Sequence, residues 1–145
     1  MKTSHILYAT DKNYLEITLA SILSLLENAQ LEEPILHLIT EKLEDEDYQK
    51  IEKVMHAYPQ IKYYIYPLED YHIEKYRIPE WKGSQVANSR LFFQEILAKQ
   101  LSEIDNLLYL DSDTIVVDQL NTLFSLPEHL VYASRDELEK KYYKH

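Results

Sequence analysis

The sequence predicts an α/β fold in which helices flank a mainly parallel sheet. Short apolar, β-branched runs alternate along the chain with longer segments whose apolar residues recur at helical intervals. This alternation is typical of right-handed strand–helix–strand crossovers, which place consecutive strands parallel in one sheet. The chain has 145 residues, of which 46% are hydrophobic. We therefore expect a single domain over residues 1–145, with a substantial core.

Two strands and two helices are predicted in the first half of the chain. The strands cover residues 5–9 and 35–40, which are apolar and rich in β-branched side chains. The helices cover residues 14–27 and 41–58, in which apolar side chains recur at three- and four-residue intervals. Four acidic residues, 44–47, occupy the first turns of the second helix, where the helix dipole favours carboxylates, and we expect them to be solvated.

Three strands and one helix are predicted in the second half. The strands cover residues 61–66, 106–110 and 130–133, the last of which is short. The helix covers residues 84–100 and has apolar side chains at four-residue intervals. The segment 69–81 is irregular and aromatic, and no regular element is predicted there.

Composition excludes several classes of partner and site. The formal net charge of −10 argues against nucleic acid, because phosphate backbones require a basic protein face. The absence of cysteine excludes disulfides and thiolate chemistry. Gly83 is the single glycine, whereas P-loops and dinucleotide fingerprints need several glycines for close backbone approach to phosphates. A phosphorylated ligand would therefore require a bridging metal ion.

We expect a cytoplasmic protein, either free or peripheral to the inner face of the membrane. No apolar run approaches the roughly 20 residues that a membrane-spanning helix requires. Residues 1–4 lead directly into the first predicted strand, without the long apolar stretch of a signal peptide.

The most informative segment is an apolar strand that ends in two carboxylates. Residues 107–110 are followed directly by Asp111 and Asp113, and ligands of open α/β sheets bind at the carboxyl ends of strands. Side chains two residues apart point to one face of an extended chain, and residues 115–117 are predicted to continue extended. Both carboxylates are then expected to reach one Mg²⁺ or Mn²⁺ ion together with ligand phosphates. A turn is the alternative, since Asp-Ser-Asp is common turn chemistry.

Three segments resemble motifs of family 8 glycosyltransferases, in the same order and at similar spacing. Residues 8–14 (YATDKNY) resemble the opening strand and loop of that family, and residues 88–91 (NSRL) resemble its arginine–leucine helix motif. Residues 108–116 (LYLDSDTIV) resemble its Asp-x-Asp strand. The resemblance covers essentially the whole chain, which is similar to the N-terminal, donor-binding half of bacterial lipopolysaccharide galactosyltransferases and their relatives.

The resemblance implies a truncated GT-A fold, which is Rossmann-like, and a transferase that moves glucose or galactose from a UDP-sugar with retention. The acceptor would be a hydroxyl of a carbohydrate, a glycolipid or a glycoprotein. The nucleotide-sugar-binding residues that it implies are Ala9, Thr10, Asp11, Asn13, Tyr14, Arg90, Asp111 and Ser112.

Individual roles follow from the same resemblance. Asp11 and Asn13 would contact the uridine, and Tyr14 would stack on the uracil. Arg90 would lie near the diphosphate and the sugar. The two aspartates of the Asp-x-Asp strand, Asp111 and Asp113, would hold Mn²⁺, or Mg²⁺, which bridges the diphosphate.

Simpler roles stay open for three of these residues. Asp11 can cap the first helix, Tyr14 can pack at its start, and Arg90 can pair with an acidic neighbour. Asn88 stands where family members often carry an aromatic residue. The family takes a third metal ligand, a histidine, and its acceptor-side residues from sequence beyond residue 145, so no catalytic residue is assigned here.

Two other functions stay open at this point. The chain can be a UDP-sugar-binding fragment without turnover, which associates into a homo-oligomer to cover its sheet edge. Residues 111–114 (DSDT) also resemble the first motif of haloacid-dehalogenase-type phosphatases, in which the first aspartate is the nucleophile. That motif normally lies early in the chain, whereas only 32 residues follow Asp113 here.

Overall fold

Four strands form the sheet of this protein, for which a computed structural model describes residues 3–77, 79–80, 83–127 and 131–133. The strands are β1 (Ser4–Asp11), β2 (Pro34–Glu41), β3 (Lys62–Pro67) and β4 (Leu107–Tyr109). All their pairings are parallel, in the order β3-β2-β1-β4. The predicted parallel α/β architecture is therefore confirmed, with β1 in the interior of the sheet.

Two long helices and several short helical turns connect the strands. The α-helices are α1 (Leu15–Asn28), α2 (Asp45–His56), α3 (Val86–Ser89) and α4 (Phe93–Ile96). The 3₁₀ turns are Leu68–Asp70, Ile73–Tyr76, Arg90–Phe92, Leu101–Glu103 and Asn121–Ser125. None of the helices in the described ranges is long and apolar enough to cross a membrane.

The sheet separates two apolar cores. Successive side chains of a strand point to opposite faces, so Ile6 and Tyr8 of β1 join the core beneath α1 and α2. Leu7 and Ala9 join the second core, which the short helices α3 and α4 cover. Full burial of a large aliphatic side chain, such as Ile6 or Leu7, contributes about 1.5–3 kcal/mol relative to leaving it exposed.

The second long helix begins later than predicted. β2 continues to Glu41, and Lys42 then takes a left-handed conformation with φ of 57°. The helix starts at Asp45, where the Glu44 amide donates to the Asp47 carboxylate at 3.0 Å. That capping interaction leaves Asp47 only 5% exposed, so the expectation of a fully solvated acidic face is wrong at this residue.

The continuous helix predicted over residues 84–100 is wrong. The segment forms α3, the turn Arg90–Phe92 and α4, and then ends in turns. The Ser89 hydroxyl donates to the Val86 carbonyl at 2.6 Å, and serine side chains compete in this way with helical hydrogen bonds. The broken path lets Ile96 and Leu97 both enter the second core.

The end of the described chain also departs from the prediction. β4 has three residues, and residues 115–117 form no strand. Residues 131–133 are not in a strand either, and Val131 is 98% exposed. Residue 130 of the predicted last strand lies outside the described residues.

Candidate functional site

A cavity of about 300 Å³ lies where β1 and β4 end. The strands after β1 extend the sheet on one side as far as β3, and β4 returns to the other side of β1. Open α/β sheets bind ligands in the crevice that such a reversal creates at the carboxyl ends of the strands. The lining residues are Ala9, Thr10, Asp11, Asn13, Tyr14, Ser84, Val86, Ala87, Tyr109, Asp111, Ser112 and Asp113.

The turn between β1 and α1 forms one wall of the cavity. The Asp11 carboxylate accepts the amides of Asn13 at 2.9 Å and Tyr14 at 3.1 Å, so it fixes the turn that leads from β1 into α1. It does not cap the helix itself, whose N-cap residue is Tyr14 and has no side-chain capping bond. Asp11 also lines the cavity, and the turn-forming and ligand-binding roles are therefore compatible. The Tyr14 side chain is 40% exposed, which leaves its ring accessible at the cavity wall.

The opposite wall is the turn that carries the two carboxylates. The amide and the hydroxyl of Thr114 both donate to the Asp111 carbonyl, at 3.2 and 2.7 Å. The chain therefore turns at this point, and the expectation that it stays extended is wrong. Asp111 and Asp113 are nevertheless both exposed and both line the cavity. The Ser112 hydroxyl donates to the Ala9 carbonyl at 2.9 Å and ties this turn to β1.

A row of hydroxyl groups supports the same turn from behind. The Tyr8 and Ser21 hydroxyls lie 3.0 Å apart, and the Ser21 and Thr114 hydroxyls lie 3.1 Å apart. The Thr114 hydroxyl donates its only proton to the Asp111 carbonyl, so it must accept from the Ser21 hydroxyl. The Ser21 hydroxyl must then accept from the Tyr8 hydroxyl. Burial raises the pKa of Tyr8 to about 12, which keeps this donor protonated.

Arg90, in the turn after α3, does not line the cavity but contacts two residues that do. Its Nη1 lies 3.2 Å from Asp111 Oδ1 and 3.3 Å from the Tyr109 hydroxyl, and its guanidinium carbon lies 5.0 Å from the Tyr109 ring centroid. The hydrogen bond with Tyr109 raises the pKa of Arg90, and burial raises the pKa of Tyr109 to about 12. Arg90 does pair with an acidic neighbour, and that neighbour is itself a predicted metal ligand.

Sequence reasoning missed a buried carboxylate beside this cavity. Glu41, at the end of β2, is 7% exposed. Its Oε2 accepts the Ser84 hydroxyl at 2.6 Å and the amides of Gln85 and Val86 at 3.0 and 3.1 Å. Burial raises the pKa of Glu41, but these donors and Lys42 outweigh burial, so that the net pKa is lowered. The sequence contained a signal for this residue, since Glu41 directly follows the predicted strand 35–40, as Asp111 follows the predicted strand 106–110.

Comparison with known proteins now assigns the chain to a family. The profile described as glycosyl transferase family 8 matches residues 5–145. The chain belongs to this family. The probable galacturonosyltransferase-like 2 of Arabidopsis thaliana is 30% identical over 139 residues, which are 92% of this chain and 39% of that protein.

Solved structures of glycosyltransferases share the fold of this family 8 chain. The galactosyltransferase LgtC, in complex with donor and acceptor sugar analogues, matches with a TM-score of 0.65 and 21% identity, over 85% of this chain and 42% of that one. The bifunctional glycosyltransferase WbbM, in its apo form, matches with a TM-score of 0.66 and 18% identity, over 87% and 21%. Mouse xyloside xylosyltransferase 1, in its apo form, matches with a TM-score of 0.56 and 18% identity, over 85% of this chain and 48% of that one. The chain thus spans less than half of each of these proteins, and the predicted GT-A fold is confirmed.

The donor atoms at the cavity of this family 8 chain fit a hard divalent cation. Asp111 and Asp113 offer carboxylate oxygens, and Mg²⁺ or Mn²⁺ is commonly held by one or two carboxylates together with ligand phosphates. Within the described ranges, no group of three or more histidine, cysteine, aspartate or glutamate side chains is placed to hold a metal. Asp111 and Asp113 would therefore hold the cation together with oxygens of the bound molecule.

Proposed function

We propose that this chain is the donor-binding part of a retaining, metal-dependent glycosyltransferase that uses a UDP-hexose. The observation that carries the proposal is the cavity between the ends of β1 and β4. It brings the first motif, with Asp11, Asn13 and Tyr14, against the last motif, with Asp111 and Asp113, although about 100 residues of sequence separate them.

Each wall of the cavity suits one part of a UDP-sugar. The exposed ring of Tyr14 offers a stacking face for uracil, and Asp11 and Asn13 lie beside it for contacts with the uridine. The carboxylates of Asp111 and Asp113 lie across the cavity, where they would hold Mn²⁺ or Mg²⁺. When bound, this ion would stabilise the negative charge of the departing diphosphate.

Arg90 supplies the positive charge that an acidic protein needs at a phosphate site. Its guanidinium pairs with Asp111 at 3.2 Å, and both side chains are substantially exposed. Exposed ion pairs contribute at most about 1 kcal/mol, so this pair is readily exchanged. We infer that Arg90 turns from Asp111 to the diphosphate when the donor binds, and that this exchange frees the carboxylate for the cation.

The test is calorimetry of UDP binding with and without Mn²⁺. Asp111→Asn and Asp113→Asn should each remove most of the Mn²⁺-dependent affinity, because each deletes one charge beside the cation. Asp118→Asn is the matched control, since Asp118 is exposed and does not line the cavity. Wild-type affinity in both cavity variants would contradict the metal assignment.

Donor identity and turnover need a second assay. Hydrolysis of UDP-glucose, UDP-galactose and UDP-galacturonic acid should be compared, because the plant relative is named for galacturonosyl transfer. Binding without hydrolysis of any donor would favour the alternative of a UDP-sugar-binding fragment. The phosphatase alternative has no support from the family assignment, which covers residues 5–145.

A further inference from the structure

Glu41 is a buried carboxylate that neither the family motifs nor the proposed mechanism uses. A carboxylate is costly to bury unless charge-assisted hydrogen bonds compensate it. Here a single oxygen, Oε2, receives all three donors of Ser84, Gln85 and Val86, and the other oxygen lies 3.4 Å from Lys42 Nζ. Three hydrogen bonds to one charged oxygen compensate the buried charge, and they also fix the position of the segment that carries the three donors.

The segment that Glu41 holds runs directly into the candidate site. Val86 and Ala87 line the cavity, and α3 packs against both β1 and β2. Ser89 is fully buried at the end of α3. Arg90 follows immediately and reaches Asp111 and Tyr109 at the end of β4. The segment 84–90 is thus anchored at β2 and crosses the end of β1, and it places the guanidinium of Arg90 beside the end of β4.

We propose that Glu41 is a positioning residue that holds segment 84–90 across the carboxyl end of the sheet, so that Arg90 is placed for the donor diphosphate. This inference rests on the proposed function. The lowered pKa of Glu41 agrees with it, because the carboxylate stays ionised at neutral pH and keeps its three donors.

The first measurement needs no ligand. In Glu41→Gln, amide hydrogen exchange of residues 85–90 should accelerate roughly tenfold, because a neutral amide oxygen replaces the charged acceptor and the new NH2 group cannot accept. Exchange in β1 and β2 should stay as in the wild type. Glu69→Gln is the matched control, because the exposed Glu69 also accepts a backbone amide at this edge, and that amide belongs to Lys42 rather than to segment 84–90. Unchanged exchange at residues 85–90 would overturn the inference.

The second measurement separates positioning from general destabilisation. With Mn²⁺ present, Glu41→Gln should raise the Kd for UDP roughly tenfold and change the Kd for uridine less than about twofold, because uridine lacks the diphosphate. In an Arg90→Ala background, Glu41→Gln should add less than about twofold, since the two residues act through one contact. Equal losses for UDP and uridine would show a purely structural role and would overturn the inference.

Two further outcomes keep the hypotheses distinguishable. If Glu41→Gln does not fold, Ser84→Ala decides the question, because it keeps the carboxylate and removes one donor. Ser84→Ala should accelerate amide exchange at residues 85–90 and weaken UDP binding roughly threefold. Because Ser84 also lines the cavity, the exchange rate, which needs no ligand, is the deciding measurement. Wild-type protein that does not bind UDP would overturn the proposed function and with it the diphosphate role. UDP binding that persists unchanged in Glu41→Gln and Ser84→Ala would overturn this inference alone.

Discussion

Asp11 serves the fold and the site with the same side chain. Its Oδ1 accepts the amides of Asn13 and Tyr14, and these two hydrogen bonds fix the turn that places Tyr14 at the cavity. A substitution of Asp11 would therefore combine the loss of these turn hydrogen bonds with any loss of ligand contact. Tyr14 is the better residue for a test, because its ring is 40% exposed and its side chain caps nothing.

Tyr14→Ala should weaken UDP binding by roughly 1–3 kcal/mol, the scale of base stacking on aromatic side chains in nucleic-acid complexes. Tyr14→Phe keeps the ring and should bind UDP like the wild type. Titration calorimetry with Mn²⁺ measures both, and urea unfolding confirms that both variants fold. If Tyr14→Ala binds as tightly as Tyr14→Phe, the ring has no stacking role.

Elements with a strong local pattern could be predicted from the sequence. The apolar runs of β1 and β2 and the helical spacing in α1 follow local rules, because the residues that form each element also specify its buried face. The prediction of one helix over residues 84–100 was wrong, because the path of this segment depends on contacts with residues far away in sequence. Glu41 fixes its start, and the second core draws in Ile96 and Leu97. Local periodicity contains no information about either contact.

The site shows the same division. The Asp-x-Asp pair and the loop after β1 lie next to strands that the sequence defines, so their meeting at one edge of a parallel sheet could be predicted. The turn at Ser112 could not be distinguished from an extended chain, because it depends on Thr114 and on Ser21 of α1, which is 93 residues away in sequence. The network around Glu41 likewise depends on pairing across the fold.

A buried histidine pair joins β1 to β2 on the face away from α1. The Tyr66 hydroxyl donates its proton to Gln100, so it must accept from His37 Nδ1, which lies 2.8 Å away. A neutral His37 then has an unprotonated Nε2, and this nitrogen accepts from His5 Nδ1 at 3.0 Å. Burial, together with the neighbouring His5, lowers the pKa of His37 to about 4. Burial also lowers the pKa of His5. A backbone hydrogen bond with Glu103 and the negative charges of Glu103 and Asp105 raise this pKa, but burial outweighs them.

This pair should make the protein less stable in mild acid. The folded-state pKa of His37 lies below its unfolded value of 6.5, so the unfolded chain binds more protons as pH falls from about 6.5 to 4. The free energy of unfolding should then fall by up to about 3 kcal/mol over that range, at about 1.4 kcal/mol per tenfold change in proton affinity. Above pH 7 this contribution is constant.

Urea unfolding at several pH values between about 4 and 7.5 measures the effect. His37→Gln should flatten the pH dependence in this window, whereas His56→Gln, on the exposed side of α2, should leave it as in the wild type. Parallel curves for the wild type and His37→Gln would show that His37 does not control acid stability.

Charge is the property of the whole molecule that bears most on its ligand. A net charge of −10 repels an anionic nucleotide, and the cavity itself adds the carboxylates of Asp11, Asp111 and Asp113. In the described ranges, Arg90 is the cation whose contacts reach the cavity lining. The homo-oligomer expected from the sequence stays a prediction, and its charge would add to the same repulsion.

Without a divalent metal, the association rate constant of UDP should therefore rise with ionic strength. Salt shortens the range of the repulsion, from a Debye length of about 30 Å at 0.01 M to about 8 Å at 0.15 M, so roughly a twofold or larger increase is expected over that interval. Stopped-flow fluorescence at increasing NaCl measures this rate constant.

Uridine is the matched control, because it is uncharged and its association rate should not change. With saturating Mn²⁺ the increase for UDP should shrink, since the cation neutralises part of the carboxylate charge before the diphosphate arrives. An association rate for UDP that falls with salt would mean that the local field of Arg90 outweighs the net charge, and that the metal is not needed to overcome repulsion at this site.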